Sequence, residues 1–302
     1  MTNQHRPNVT PLTISTPNQR PALSETPTDS VALLKSAQLG FWDTKTSGSV
    51  VILMHSGAQS ALAWGHQKEP LQQAGHRVIG YSRRGYAGST ASNTSSIDDP
   101  GIASQDLRDL MDYLQIEKAH LVALAHGGYF ALDFALSWPQ RVISLTIASS
   151  MMGITDPDYL QMQARLRPPF FEHLPLEFKE LGPAYRASDP VGLNAWHQLA
   201  SKARTNTGKN TTLAIASTSD ATPSVKNPIC SATLKTLKLP VLLMTGDADL
   251  YVPAPVLRHQ TRLIAGARSV VIAESGHCPN WEQPEQFNQS LIEFLSNATS
   301  PM

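Results

Sequence analysis

Three things are scarce in this chain of 302 residues, and each scarcity closes off a class of answer. Cysteine occurs only as Cys230 and Cys278, too few for a disulfide framework, so both are read as free thiols. Net charge is missing, since 24 basic side chains balance 24 acidic ones. A nucleic-acid partner would show as a basic excess, so none is expected. No apolar run approaches the ~18 residues that a membrane span needs, so no membrane partner is expected either. The stretch 1–30 sets Pro7, Pro11, Pro17, Pro21 and Pro27 among Thr, Asn and Gln. It lacks the apolar centre of a signal peptide and reads as a polar arm, which leaves a cytoplasmic setting as the expectation.

What is there suits one large α/β domain carrying an insertion. Hydrophobic residues make up 41% of the chain, enough for a sizeable core, although charged residues supply only 16%. Continuous apolar runs at 50–54, 77–81, 121–124, 141–148 and 239–246 read as strands buried on both faces. Helix-period stretches separate them: 64–75, then 104–114 with apolar positions 107, 110, 111 and 114, then 255–264 and 285–295. Such alternation implies a mostly parallel, twisted sheet flanked by helices. Ahead of it, 31–34 and 37–43 suit an antiparallel hairpin at one edge. Asp106 and Asp109 read as part of a solvated helix face and receive no role.

From about Met151 to Pro228 the strand signal stops, and helix-period stretches broken by proline take over at 157–165, 175–180 and 190–202. The expected organisation is a polar arm (1–30), a first core part (31–152), a helical insertion (153–228) and a second core part (229–302). Met151, Met152, Phe170 and Phe171 give the insertion a soft, aromatic lining suited to a small apolar ligand. Ser56 and Trp281 complete the expected substrate-binding set. The stretch 205–227 is polar and turn-rich and reads as a loop.

The most informative absence is one oxygen. The run Leu121 to Leu124 meets His126-Gly127-Gly128 and turns into a helical pattern, as a buried strand does when it bends sharply into a helix. In a nucleophile elbow, G-x-S-x-G, that corner lifts a serine into a cleft. Here the five positions read Ala123-Leu124-Ala125-His126-Gly127. The frame is present without the hydroxyl.

Four blocks in order carry a resemblance that covers most of residues 31 to 298. They are His55-Ser-Gly57, the corner at 123 to 128, Gly246-Asp-Ala-Asp249-Leu-Tyr-Val-Pro253, and Ser275-Gly-His277. Together the chain resembles the α/β-hydrolase superfamily, and the resemblance implies that fold with a helical cap. It further implies a nucleophile at 125, an acid at Asp249 and a base at His277, with Asp247 as the second candidate for the acid. The backbone N–H groups of Gly57 and His126 would form the oxyanion hole. The loop Ser82-Arg83-Arg84-Gly85-Tyr86-Ala-Gly88-Ser89 resembles the family's Asp-x-Arg-Gly-x-Gly-x-Ser, with Ser82 in place of Asp. Arg84 is expected to hold loop carbonyls, and His55 to order the oxyanion loop. No cofactor and no metal is implied.

A serine hydroxyl is a poor nucleophile at neutral pH until an imidazole takes its proton and a carboxylate orients that imidazole. Asp249 and His277 stand at the family's spacing although Ala125 can form no acyl-enzyme. That retention points to a serine hydrolase inactivated by a Ser→Ala substitution, with a natural non-catalytic binder and an aspartate nucleophile as alternatives. The expected substrate is a carboxylic ester or lactone of a small to medium apolar molecule. A carbon–carbon (diketone) hydrolase would use the same residues, and a ligand receptor on the same scaffold would need none of the turnover. The oligomeric state stays open, a homodimer included.

Overall fold

Apolar runs without alternation need cover on both faces, and the computed structural model, which describes residues 28–91, 99–167, 169–204 and 224–299, supplies it. Residues 1–27 of the expected arm and 205–223 of the expected loop lie outside the described residues. The chain opens with β1 (Ser30–Leu33) and β2 (Ala37–Asp43), paired antiparallel as the edge hairpin. Next come β3 (Val50–Met54), α1 (Gly65–Gln73), β4 (Arg77–Tyr81), the two-residue β5 (Thr90–Ala91) and α2 (Ile102–Tyr113). They are followed by β6 (Ala119–Leu124), α3 (His126–Ser137) and β7 (Val142–Ala148). The stretch 153–228 holds α4 (Pro157–Leu166), α5 (Leu176–Glu180), α6 (Pro183–Ser188) and α7 (Pro190–Lys202), and α8 (Ser231–Leu234) follows it. The chain closes with β8 (Val241–Gly246), α9 (Ala254–Leu263), β9 (Arg268–Ile272), α10 (Pro279–Glu282) and α11 (Pro284–Thr299).

The sheet runs β1-β2-β4-β3-β6-β7-β8-β9, with β5 paired to β2 off this path. Every pairing from β4 to β9 is parallel. The winding direction reverses at β3, whose neighbours are β4 on one side and β6 on the other. Open α/β sheets leave a crevice at the C-terminal strand ends beside such a reversal. The corner at 125 and the loop at 55–57 both start there.

Alternate residues of the central strands feed two cores. Ile52, Met54, Leu121, Ala123, Leu145 and Leu243 pack with Leu107, Leu110, Phe134 and Leu257 on one face. Val51, Leu53, Val122, Leu242 and Met244 pack with Leu71, Phe287, Leu291 and Leu295 on the other. Each Val, Leu, Ile, Phe or Met among them contributes about 1.5–3 kcal/mol when fully buried, so these two layers hold the strand ends in place. A third, smaller cluster joins the insertion to the last loop through Leu181, Tyr185, Trp196, Leu199, Cys278 and Trp281. Both cysteines are free.

One expectation is corrected. Asp106 does not ride a solvated face: it is 3% exposed and receives a two-point ion pair from Arg84, at 2.6 and 2.7 Å. Arg84 thus gives part of its planar fork to a buried carboxylate and part to Ser36 Oγ at 2.9 Å. The helix α6, begun by Pro183, also went unforeseen, because its short stretch carries no helical period of its own.

Candidate active site

The corner between β6 and α3 is strained. Ala125 has φ 48° and ψ −114°, a region costing a non-glycine residue about 1–3 kcal/mol. Its neighbours must be small. A Cβ on Gly127 would lie 2.4 Å from the Met54 carbonyl oxygen, and one on Gly128 would lie 2.5 Å from Ser150 Oγ. Glycine at both positions lets α3 start directly against β3 and β7, which aims residue 125 at the crevice.

The loop after β3 is clamped from below. Arg83 donates to the carbonyl oxygens of His55 and, at 3.1 Å, Ser56, while its own N–H donates to His55 Nε2 at 3.0 Å. Because Nε2 accepts, Nδ1 carries the proton and donates to the Ser56 carbonyl at 2.7 Å. His55 thus orders this loop. Two donors on that carbonyl fix the plane of the Ser56–Gly57 peptide, and with it the direction of the Gly57 N–H. The Tyr86 hydroxyl donates to the Gly57 carbonyl at 3.0 Å, fixing the following peptide. Among the described residues, neither the Gly57 nor the His126 N–H is donated to a backbone acceptor. The two residues are in contact: a Cβ on Gly57 would meet the His126 ring, at Nδ1, at 2.4 Å.

Asp249 and His277 meet across two loops. His277 Nδ1 lies 3.0 Å from each oxygen of Asp249. The carboxylate also accepts from Tyr251 N–H at 2.8 Å, Val252 N–H at 3.0 Å and Thr245 Oγ1 at 3.0 Å. Asp247, the other candidate, faces away and accepts from the N–H groups of Glu274 and Ser275, at 3.0 and 3.1 Å. It braces the turn that leads to His277. The loops touch because Gly246 has no side chain: a Cβ there would lie 2.2 Å from the Gly276 carbonyl oxygen.

Burial and charge set the protonation of this pair. Burial alone would raise Asp249 and lower His277; instead the imidazole and two N–H donors hold Asp249 below the usual carboxylate value. Against its own burial, the carboxylates of Asp249, Glu180 and Glu282 raise His277 to about 9. His126 goes the opposite way, to about 4, pushed first by burial and then by Arg83, His277 and Arg204. The charge of His277 thus bears on His126, the residue that follows the corner.

The expected lining residues divide. Ser56 is buried at 1% exposure, and its Oγ has no protein partner among the described residues. Phe171 is buried and meets the Tyr251 ring edge-on at 4.8 Å, and Met151 Sδ accepts from Arg167 at 3.1 Å. Three others do not join them. Met152 is fully buried in the core, Trp281 packs among Leu181, Tyr185 and Trp196, and Phe170 is 80% exposed. Phe170 has φ 61° at the start of a tight turn, which swings its side chain outward.

Sequence reasoning missed three residues here. Tyr251 lays its ring 4.3 Å from the His277 imidazole, Glu180 reaches the same loop from the insertion, and Arg83 clamps the loop after β3. Arg83 and Tyr251 had a signal, their places in the loop at 82–89 and in the block at 246–253; Glu180 had none. Among the described residues no cluster of three or more His, Cys, Asp and Glu side chains could hold a metal ion, and no helix is long and apolar enough to cross a membrane.

Comparison with known proteins adds the relationship. The chain is 26% identical over 275 residues to a 2-hydroxy-6-oxononadienedioate/2-hydroxy-6-oxononatrienedioate hydrolase of Escherichia coli, covering 87% of this chain and 93% of that one. Among solved structures it is similar to a thermophilic esterase from Thermogutta terrifontis, with a TM-score of 0.70 and 21% identity, covering 90% of this chain and 100% of that one. It is also similar to the enol-lactonase from Burkholderia xenovorans, with a TM-score of 0.68 and 19% identity, covering 88% and 100%. The model of the alpha/beta hydrolase family matches residues 50–290, most of the chain and all four blocks, so the chain belongs to the alpha/beta hydrolase family.

Proposed function

We propose that this chain is the inactive form of a serine hydrolase whose nucleophile stood at position 125, acting on a carboxylic ester or lactone of a small to medium apolar molecule. The observation that carries the reading is the imidazole of His277, held on Nδ1 by a buried carboxylate at 3.0 Å in the loop beside the corner. In the serine form, Nε2 of His277 takes the hydroxyl proton as the oxygen attacks the substrate carbonyl. The oxyanion accepts from the N–H groups of Gly57 and His126, and the imidazolium returns its proton to the leaving group. Water, activated by the same imidazole, then releases the acyl group. Residues 153–228 act as a cap between the core parts 31–152 and 229–302, with Met151 and Phe171 over the cleft. Alanine at 125 removes one oxygen and leaves this machinery standing.

A second reading has a specific observation behind it. The Escherichia coli relative that the chain matches over most of its length is named as a hydrolase of a 2-hydroxy-6-oxo dienedioate, a vinylogous diketone. Cleavage of a carbon–carbon bond in such a compound would use the same three positions.

The experiment restores Ala125→Ser and assays p-nitrophenyl esters, lactones and a vinylogous diketone. Turnover should rise by about 10³-fold or more over the alanine form on at least one class, and the class identifies the bond. Equal rates for both forms on all three classes, with equally tight ligand binding by calorimetry, would replace the enzyme by a ligand receptor.

A further inference from the structure

Glu180, the last residue of α5, is the one buried carboxylate of the insertion among the described residues, with 7% exposure. Its carbonyl oxygen accepts from the His277 N–H at 3.0 Å. Its Oε1 accepts from the Tyr251 hydroxyl at 3.4 Å, and its Oε2 from Cys278 Sγ at 3.8 Å. The Tyr251 ring so held packs on the His277 imidazole, with centroids 4.3 Å apart and planes tilted by 41°.

Two residues later the chain is tied down again. Gly182 N–H donates to Glu282 Oε2 at 2.6 Å, while Glu282 also accepts from Gly276 N–H at 2.9 Å and Cys278 N–H at 3.1 Å. The backbones touch, since a Cβ on Gly276 would sit 2.3 Å from the Gly182 nitrogen. The stretch 180–182 is therefore built into the loop that carries His277. A buried carboxylate is costly unless something draws on its charge. Around it stand Lys179 on its own helix, Asp249 and Tyr251 after β8, and His277, Cys278 and Glu282 after β9. Behind Tyr251 lie Arg167 and Glu172. The one group among those on the two catalytic loops that becomes a cation is the His277 imidazole.

We propose that Glu180 is a positioning residue for His277: its carboxylate anchors the Tyr251 ring against the imidazole and adds a second negative charge, beside Asp249, when that imidazole takes up a proton. This rests on the reading of His277 as the base. Asp249 alone orients the ring through Nδ1; Glu180 makes the cap part of the same device, so the base is fully formed only when the cap is seated. Burial holds the Glu180 carboxyl above its usual value, while a protonated His277 pulls it back down, so the two groups favour each other's charged forms.

The test needs no catalysis. In the alanine chain labelled with ¹⁵N-histidine, the His277 imidazole should titrate near 9. Glu180→Gln, which keeps the shape and the acceptor but removes the charge, should lower that value by about one unit and leave His76 and His120 unmoved. Tyr251→Phe, which keeps the ring and removes the donor, should shift it the same way by less. An unmoved His277 in Glu180→Gln overturns the proposal; if that variant fails to fold, an unmoved His277 in Tyr251→Phe does so. Once Ala125→Ser is active, Glu180→Gln should carry the acid limb of its kcat/KM profile to lower pH with KM little changed. A loss of kcat with the limb in place would make Glu180 structural only. Should Ala125→Ser prove inert on every substrate, the functional reading fails, and the titration still decides Glu180.

Discussion

Two imidazoles flank the corner at residue 125, and they hold protons at opposite ends of the scale. His126 is pushed down to about 4 and His277 up to about 9. Burial lowers both, so burial is not the difference. The neighbours are: Arg83 and Arg204 beside His126, and Asp249, Glu180 and Glu282 around His277. The site thus has a cation-lined side, at His126, and a carboxylate-lined side, at His277. The acyl transfer proposed above would build negative charge on a carbonyl oxygen and positive charge on the imidazole, and this field would favour both at once.

Removing Asp249 breaks that contrast most. In Asp249→Asn the chief positive influence on His277 is gone and burial dominates, so His277 should titrate below 6.5 and come to resemble His126. In the Ala125→Ser background kcat should fall by about 10⁴-fold, the scale set by losing the orienting carboxylate of a triad. Before that second change, kcat/KM should rise with pH toward about 9, because only the neutral imidazole can take the serine proton. Histidine titration by NMR and a pH–rate profile read both effects. A His277 still titrating near 9 in Asp249→Asn would mean that other groups set its basicity.

How much of this was legible beforehand depended on whether the cause was local. The buried strands at 50–54, 121–124 and 241–246 announce themselves as unbroken apolar runs, and Gly127 and Gly128 mark a corner because a Cβ there meets backbone or Ser150. The blocks that hold Asp249 and His277 stood out in the sequence by their resemblance to the family's order, and the structure brings the two side chains together at 3.0 Å. Glu180 was not, since a glutamate ending a five-residue helix looks solvated until the loop from 276 to 282 closes over it. Asp106 hid in the same way, beside a helix's apolar positions, with its arginine on another loop. Phe170 and Met152 failed for the opposite reason: an apolar side chain reveals that it seeks cover, not which cover. Both residues have a left-handed φ of 61°, yet Met152 is buried in the core and Phe170 is 80% exposed, so the local backbone does not tell them apart either.

A third imidazole shows burial as the leading cause where no carboxylate among the described residues stands beside the ring. His120 in β6 is fully buried, bonded to Ser144 Oγ at 2.8 Å, and lowered to about 4 by burial first and His76 second. Its unfolded value lies near 6.5, so its contribution to stability is complete above that pH and is lost as pH falls through about 4. A shift of that size corresponds to about 3 kcal/mol. His120→Asn should therefore lose less stability than the parent between neutral pH and pH 4.5, measured by urea denaturation. Equal acid losses in both proteins would show that the ring charges without opening the fold.

The smallest expected effect belongs to Arg83, because burial outranks it in lowering His126. Arg83→Gln should raise the His126 titration by no more than about one unit. The same change also releases the carbonyls of His55 and Ser56, and so frees the peptide that aims the Gly57 N–H. Arg83→Lys separates these roles: it keeps the charge and loses the planar fork. His126 should then titrate as in the parent, while the rate of the Ala125→Ser form falls by about tenfold through a misdirected oxyanion donor. If Arg83→Gln left His126 at about 4, the cations on that side would be incidental. The contrast between the two imidazoles would then rest on the carboxylates around His277 alone.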